Sequence, residues 1–185
     1  MRIKGISRLA LAGVLVALSA CGSGSSARST TGASVSRAAA ADPAHIRYIS
    51  RGDEVCRAGN ATIAPVNARG AEIQQGRQSP ARTAALLVPV LYEGLHDYRD
   101  FYVRLKRIPP PQQDRAAAAS IMDGLRRVGN DLERLTAALE RGEFARVKAI
   151  TAERELDHAR VSAQELEFGF RVCGQPQGNS SSPGG

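Results

Sequence analysis

Two tetrapeptides in this chain share the order Glu-x-x-His: Glu93-Gly94-Leu95-His96 and Glu155-Leu156-Asp157-His158. On a helix, residues three apart lie on one side, so each pair could offer a carboxylate and an imidazole to a single metal ion. Di-iron and di-manganese carboxylate bundles use two such motifs and a Glu from each of two further helices. Ligands of that kind must converge on the bundle interior. The apolar phase around the first motif is Leu91, Leu95 and Tyr98, which turns Glu93 and His96 outward. Around the second it is Leu156, Ala159 and Ala163, which leaves Glu155 outward and His158 at the flank. The other two helices offer Asn60 and Asp123 at that height, not an inward pair of carboxylates. Glu93, His96, Glu155 and His158 are therefore expected to be solvated surface residues, and no metal or cofactor is expected.

The three cysteines carry the next chemistry. Cys21 follows Leu18-Ser19-Ala20, at the end of an apolar run from Leu9 that is preceded by Arg2, Lys4 and Arg8. Charge, then an apolar stretch, then small residues is the order of a secretory leader. Twelve helical residues span about 18 Å, short of the roughly 30 Å of a bilayer core. With Cys21 directly after the small residues, the segment resembles the lipobox of bacterial lipoproteins. That resemblance implies cleavage before Cys21, a diacylglycerol on its thiol, and anchoring at the extracytoplasmic face of the cell membrane. Two acyl chains suffice for stable anchoring. Cys56 and Cys173 remain, and two cysteines in an exported protein are most simply a disulfide. Closing so long a loop is worth at most about 5 kcal/mol.

Four segments follow from this: a leader (1–20), a lipidated Cys and Gly/Ser/Thr/Ala-rich tether (21–41), a domain (42–174) and a Gly/Ser-rich tail (175–185). The tether and the tail lack the apolar residues to build a core and are expected to be disordered. The formal charge of +7 comes from 25 Lys+Arg against 18 Asp+Glu. Three of those positive charges fall in the leader and two in the tether, so the domain itself is nearly balanced. Its charges alternate in sign, as in Asp131/Glu133/Arg134, which is a solvated mixed surface and not a nucleic-acid stripe.

The elements that must position these residues are helices. Ala, Leu and Arg dominate, and no stretch alternates as a strand does. Helix 1 starts at Asp42-Pro43 and carries Ile46, Ile49, Gly52, Cys56, Gly59, Ile63, Val66, Gly70 and Ile73 at steps of three and four. Helix 2 starts at Ser79-Pro80, carries Ala84, Leu87, Leu91, Leu95, Tyr98, Tyr102 and Leu105, and ends at Pro109-Pro110-Pro111. Pro65 and Pro89 should kink these two. Helix 3 begins near 111–114 and carries Ala118, Ile121, Leu125, Val128, Leu132, Leu135 and Leu139, with Gly142 as its stop. Helix 4, about 143–172, carries the seam Ala149, Ala152, Leu156, Ala159, Ala163, Leu166 and Phe170, with Cys173 in phase. Short connections make neighbours antiparallel, giving an all-α, up-down-up-down four-helix bundle. Helices 1 and 4 are adjacent in that topology, which supports Cys56–Cys173. The register does not match directly. Cys173 stands about 16 Å too far along its helix, so the proline kinks or a fold-back near Gly169 must absorb the difference.

The shared pattern of lipobox, tether, Asp53-Glu54-Val55-Cys56, Ile108-Pro109-Pro110-Pro111 and Gly169-Phe170-Arg171-Val172-Cys173-Gly174 resembles uncharacterised actinobacterial two-cysteine lipoproteins. The likeness implies architecture alone. The chain carries no G-x-S-x-G, Walker loop, Cys-x-x-Cys-His or zinc spacing. The expected function is a non-enzymatic, membrane-tethered binding or structural module of the cell envelope, with an envelope protein as its partner. An interhelical cavity near Tyr92, Tyr98, Phe101 and Tyr102 would make it a small-molecule or lipid carrier instead; a core role for these aromatics is the expectation.

Overall fold

Two Pro-led caps set the starts of the first two helices in the computed structural model, which describes residues 42–175. The leader, Cys21, the tether and the tail beyond residue 175 lie outside the described residues. α1 spans Pro43–Gln75, and the Asp42 carboxylate accepts the Ala44 N–H at 2.9 Å. α2 spans Pro80–Lys106, and the Ser79 hydroxyl accepts the Arg82 N–H at 3.3 Å. Both helices run on through their internal prolines, Pro65 and Pro89. After the Pro-rich turn comes one 3-10 turn, Gln112–Asp114, then α3, Arg115–Glu140. Gly142, with φ +67, turns the chain into α4, Phe144–Phe168. The described residues hold four helices and no strand, an all-α four-helix bundle with up-down-up-down connections.

Packing runs in chain order: α1 on α2, α2 on α3, and α3 on α4. The main core joins Tyr48, Cys56, Leu105, Ala118, Ile121, Leu125, Val128, Val161, Phe170 and Cys173. A smaller cluster of Leu135, Ala138 and Ile150 fills the α3–α4 end. The stripes expected on helices 2 and 3 are the buried faces of α2 and α3. On helix 1 the exception is Ile46, which is 53% exposed.

Helix 4 departs from expectation in phase and in length. Six residues of its expected seam face solvent: Ala149, Ala152, Ala159 and Ala163 are exposed, Leu156 is 67% exposed and Leu166 44%, while Phe170 and Cys173, beyond the end of the helix, are buried as expected. The buried side is instead Val147, Ile150, Val161, Glu165 and Phe168, with Thr151, Arg154 and Asp157 between them. The physical reason is partnership with α3. Val161 seats on Gly124, where an added Cβ would come within 2.8 Å of its methyl. Arg134 reaches Glu153 at 2.9 Å, and Gln164 donates to Ser120 at 3.2 Å. One larger β-branched side chain buried there outweighs one Ala methyl, worth about 0.8 kcal/mol.

α4 ends at Phe168, not near 172, and Cys173 does not belong to it. Gly169 takes φ +110, a left-handed conformation open mainly to glycine. The chain then doubles back. An added Cβ on Gly174 would touch the Ser162 carbonyl, so Gly174 has returned two turns along α4. This fold-back absorbs the register difference and brings Cys173 level with Cys56. The two are joined as a disulfide, with Cα atoms 5.3 Å apart and a sequence separation of 117.

Candidate functional site

The first feature built by this topology is the hook formed by residues 169–175. α1 and α4 do not pack along one another, so the hook fills the seam between them. Asp53, 7% exposed on α1, is its anchor. Its carboxylate accepts the backbone N–H groups of Arg171 at 3.1 Å, Val172 at 2.9 Å and Cys173 at 3.3 Å. A buried carboxylate needs such donors to replace water. One residue earlier, Gly52 leaves the space that the Phe170 ring enters; a Cβ there would stand 2.3 Å from Cε1 of the ring. Phe170 packs with Tyr48 and Phe168, and Phe168 meets the His45 ring edge-on at 5.2 Å. His45 itself binds Asp114 at 2.8 Å, which ties the start of α1 to the 3-10 turn.

Beside the hook lies a cleft of about 80 Å³. Its floor is Tyr98, Phe101, Leu125 and Val128, and its walls carry Asn60, Asp97, His158 and Glu165. The Tyr98 hydroxyl donates to the Leu125 carbonyl at 2.6 Å. Burial, and then the neighbouring Asp53 charge, push the Glu165 carboxyl up to about 7. Glu165 is only 4% exposed. Partial burial, followed by the Arg154 charge, holds the His158 imidazole below its usual value. Burial raises the Tyr98 phenol most, with Glu165 adding to it.

The two Glu-x-x-His motifs do not meet. Glu93 pairs with Arg69 across to α1, and that pairing lowers its proton affinity. His96 stands in solvent beside Asp97, and Glu155 is exposed. Of the four, His158 alone lines the cleft. Among the described residues, no three His, Cys, Asp or Glu side chains gather in a way that could hold a metal ion. The aromatic set divides too. Tyr98, Phe101 and Tyr102 join the core, while Tyr92 faces outward and donates to Glu140 at 2.9 Å.

A second hollow, of about 300 Å³, is an open recess at the end of the bundle between Arg47 and Arg51 of α1 and the Pro109–Pro111 turn. It is a surface feature, not an interhelical cavity. The remaining candidate surface is the outer face of α4 described above. No helix among the described residues is long and apolar enough to cross a membrane.

Asp53, Glu165 and the His45–Asp114 pair escaped the sequence reading. A signal for Glu165 was present: Val147, Ile150, Val161 and Phe168 form a second helical stripe, and Glu165 lies on it. Comparison of the chain with family models, with curated proteins and with solved structures finds no match.

Proposed function

We propose that this chain is a lipid-anchored, extracytoplasmic helical module that acts by docking a protein partner and catalyses no reaction of its own. The observation that carries the docking role is the outer face of α4. Six apolar residues at three- and four-residue steps, two of them leucines, are presented to solvent on a helix whose other side is already packed. A continuous apolar face of that kind marks an interaction surface. The anchor rests on the order of charges, apolar run and small residues before Cys21. The Cys56–Cys173 bridge fits an oxidising, exported setting.

The carrier alternative has less support. Small-molecule pockets run to about 300–1,000 Å³ and are mostly apolar. The interhelical cleft is about 80 Å³, and its walls carry carboxylates and an imidazole. The metal alternative has three of its four candidate side chains turned away from any shared point.

The test has two parts. Cys21→Ala should release the protein from sedimented membranes; a variant that still sediments contradicts the anchor. A photo-crosslinking amino acid in place of Ala159 should form a covalent adduct with a protein in living cells. Adducts with lipid alone, or none, contradict the docking role.

A further inference from the structure

We propose that the partner of the α4 outer face is a second copy of this chain, docked antiparallel through α4 against α4. This rests on the reading of that face as a docking surface and names what occupies it.

The argument starts from spacing. Ala149, Ala152, Leu156, Ala159, Ala163 and Leu166 follow one another at steps of three, four, three, four and three. That is the a/d pattern of two and a half heptads, the repeat that keeps one helix seam facing another. The stripe is about 26 Å long at 1.5 Å per residue. All six residues are exposed. The α3-facing side of α4 has its own stripe, so the outer repeat is not needed to build the bundle.

The order of large and small residues then selects the partner. Consider a two-fold axis crossing α4 between Leu156 and Ala159. Leu156 faces the partner's Ala159, Leu166 faces the partner's Ala149, and Ala152 faces the partner's Ala163. Every leucine meets an alanine and no two leucines collide. The helices can then approach evenly along the whole seam. A parallel pairing would stack Leu156 on its own copy and Leu166 on its own copy, with only alanines between. The gap would then vary along the seam.

The flanking charges are an independent observation. In an antiparallel pair, the positions one beyond each d residue lie beside their counterparts on the partner. Here they are Glu153, Arg160 and Glu167, with Arg146 one heptad earlier, after the exposed Ala145. The same axis sets Arg160 beside the partner's Glu153 and Arg146 beside the partner's Glu167. Both contacts are attractive, and symmetry makes each occur twice; Glu153 shares its carboxylate between Arg134 of its own chain, at 2.9 Å, and the partner's Arg160. The guanidinium groups of Arg146 and Arg160 are more than half exposed and hold only local carboxylates on their own helix or its cap. An isologous contact needs this self-complementarity of shape and charge. A single helix pair falls below the roughly 800 Å² per partner of a standard interface. The dimer is accordingly a weak one, favoured where the chains are concentrated on a shared surface.

The experiment uses the full chain carrying Cys21→Ala, which leaves no unpaired native thiol. Sedimentation velocity over rising concentration should reveal a monomer–dimer equilibrium, and Leu156→Glu should weaken it roughly a hundredfold. The thermal melt should be unchanged, since Leu156 makes no core contact. Single cysteines add a test of register. Mixed Ala152→Cys and Ala163→Cys chains should form the interchain disulfide on mild oxidation, faster than either variant alone. A monomer at every concentration overturns the proposal, as does a dimer indifferent to Leu156→Glu. Faster bridging of Ala152→Cys to itself overturns the antiparallel arrangement. The photo-crosslink at position 159 separates this proposal from the reading beneath it. An adduct of twice the chain mass supports both, while an adduct with a different protein overturns self-docking and leaves the docking face standing.

Discussion

Replacing Glu165 by Gln should stabilise the protein at high pH and leave it nearly unchanged in acid. In the fold, burial and then Asp53 hold the Glu165 proton until about 7, against 4.5 for the ordinary side chain. Below 4.5 the carboxyl is protonated whether the chain is folded or not, and it contributes no penalty. Between 4.5 and 7 the unfolded chain ionises freely while the folded one keeps its proton, so stability falls as the pH rises. Above 7 both forms are ionised and the penalty is constant. One pH unit of difference is 1.36 kcal/mol, so the full window corresponds to about 3 kcal/mol as an upper bound. For a domain of this size that is a shift in melting temperature of roughly 10 °C. The assay is a pair of thermal or urea melts, wild type against Glu165→Gln, at half-unit steps from pH 4 to 8. The difference should open between about 4.5 and 7 and then level off. A difference that is flat across the series, or that grows toward acid, would refute the burial of Glu165 on α4 beneath the hook.

The hook yields further expectations. Asp53→Asn should cost about 2–3 kcal/mol in urea melts, because its charged hydrogen bonds to three backbone N–H groups become neutral ones. The same change should move the Glu165 transition toward lower pH, since the Asp53 charge is its second cause. Gly52→Ala should destabilise by about 1–3 kcal/mol through overlap with Phe170, and limited proteolysis should then cut the chain near residue 170. Reducing Cys56–Cys173 should lower the melting temperature, by an amount equivalent to at most about 5 kcal/mol, while the far-ultraviolet dichroism stays helical.

Much of this architecture was legible because α1, α2 and α3 each carry one apolar stripe and one polar side. The Asp42-Pro43 and Ser79-Pro80 starts are caps whose chemistry is complete within the local sequence. Helix 4 was misread because it carries two stripes. The Ala/Leu one has cleaner heptad spacing, while the one that packs includes Arg154, Asp157 and Glu165. Periodicity counts apolar residues and cannot see that Arg134 and Gly124 on another helix will receive the polar-bearing side. The hook shows the opposite balance. Gly169 was readable as a break, and the register arithmetic required a reversal there. Its anchor was not readable, because an Asp becomes a cap for a segment over a hundred residues away only once the chain has folded. The cleft was hidden for the same reason, since it exists only where α1 and α4 stand apart.

The rotation of α4 decides whether an apolar docking face exists at all, and hydroxyl-radical footprinting of the dilute protein reads it directly. Leu156, and to a lesser degree Leu166, should be oxidised readily, while Ile150 and Val161 resist. Rapid attack on Ile150 and Val161 with protection of the two leucines would mean that the Ala/Leu stripe is core, and that no such face is available.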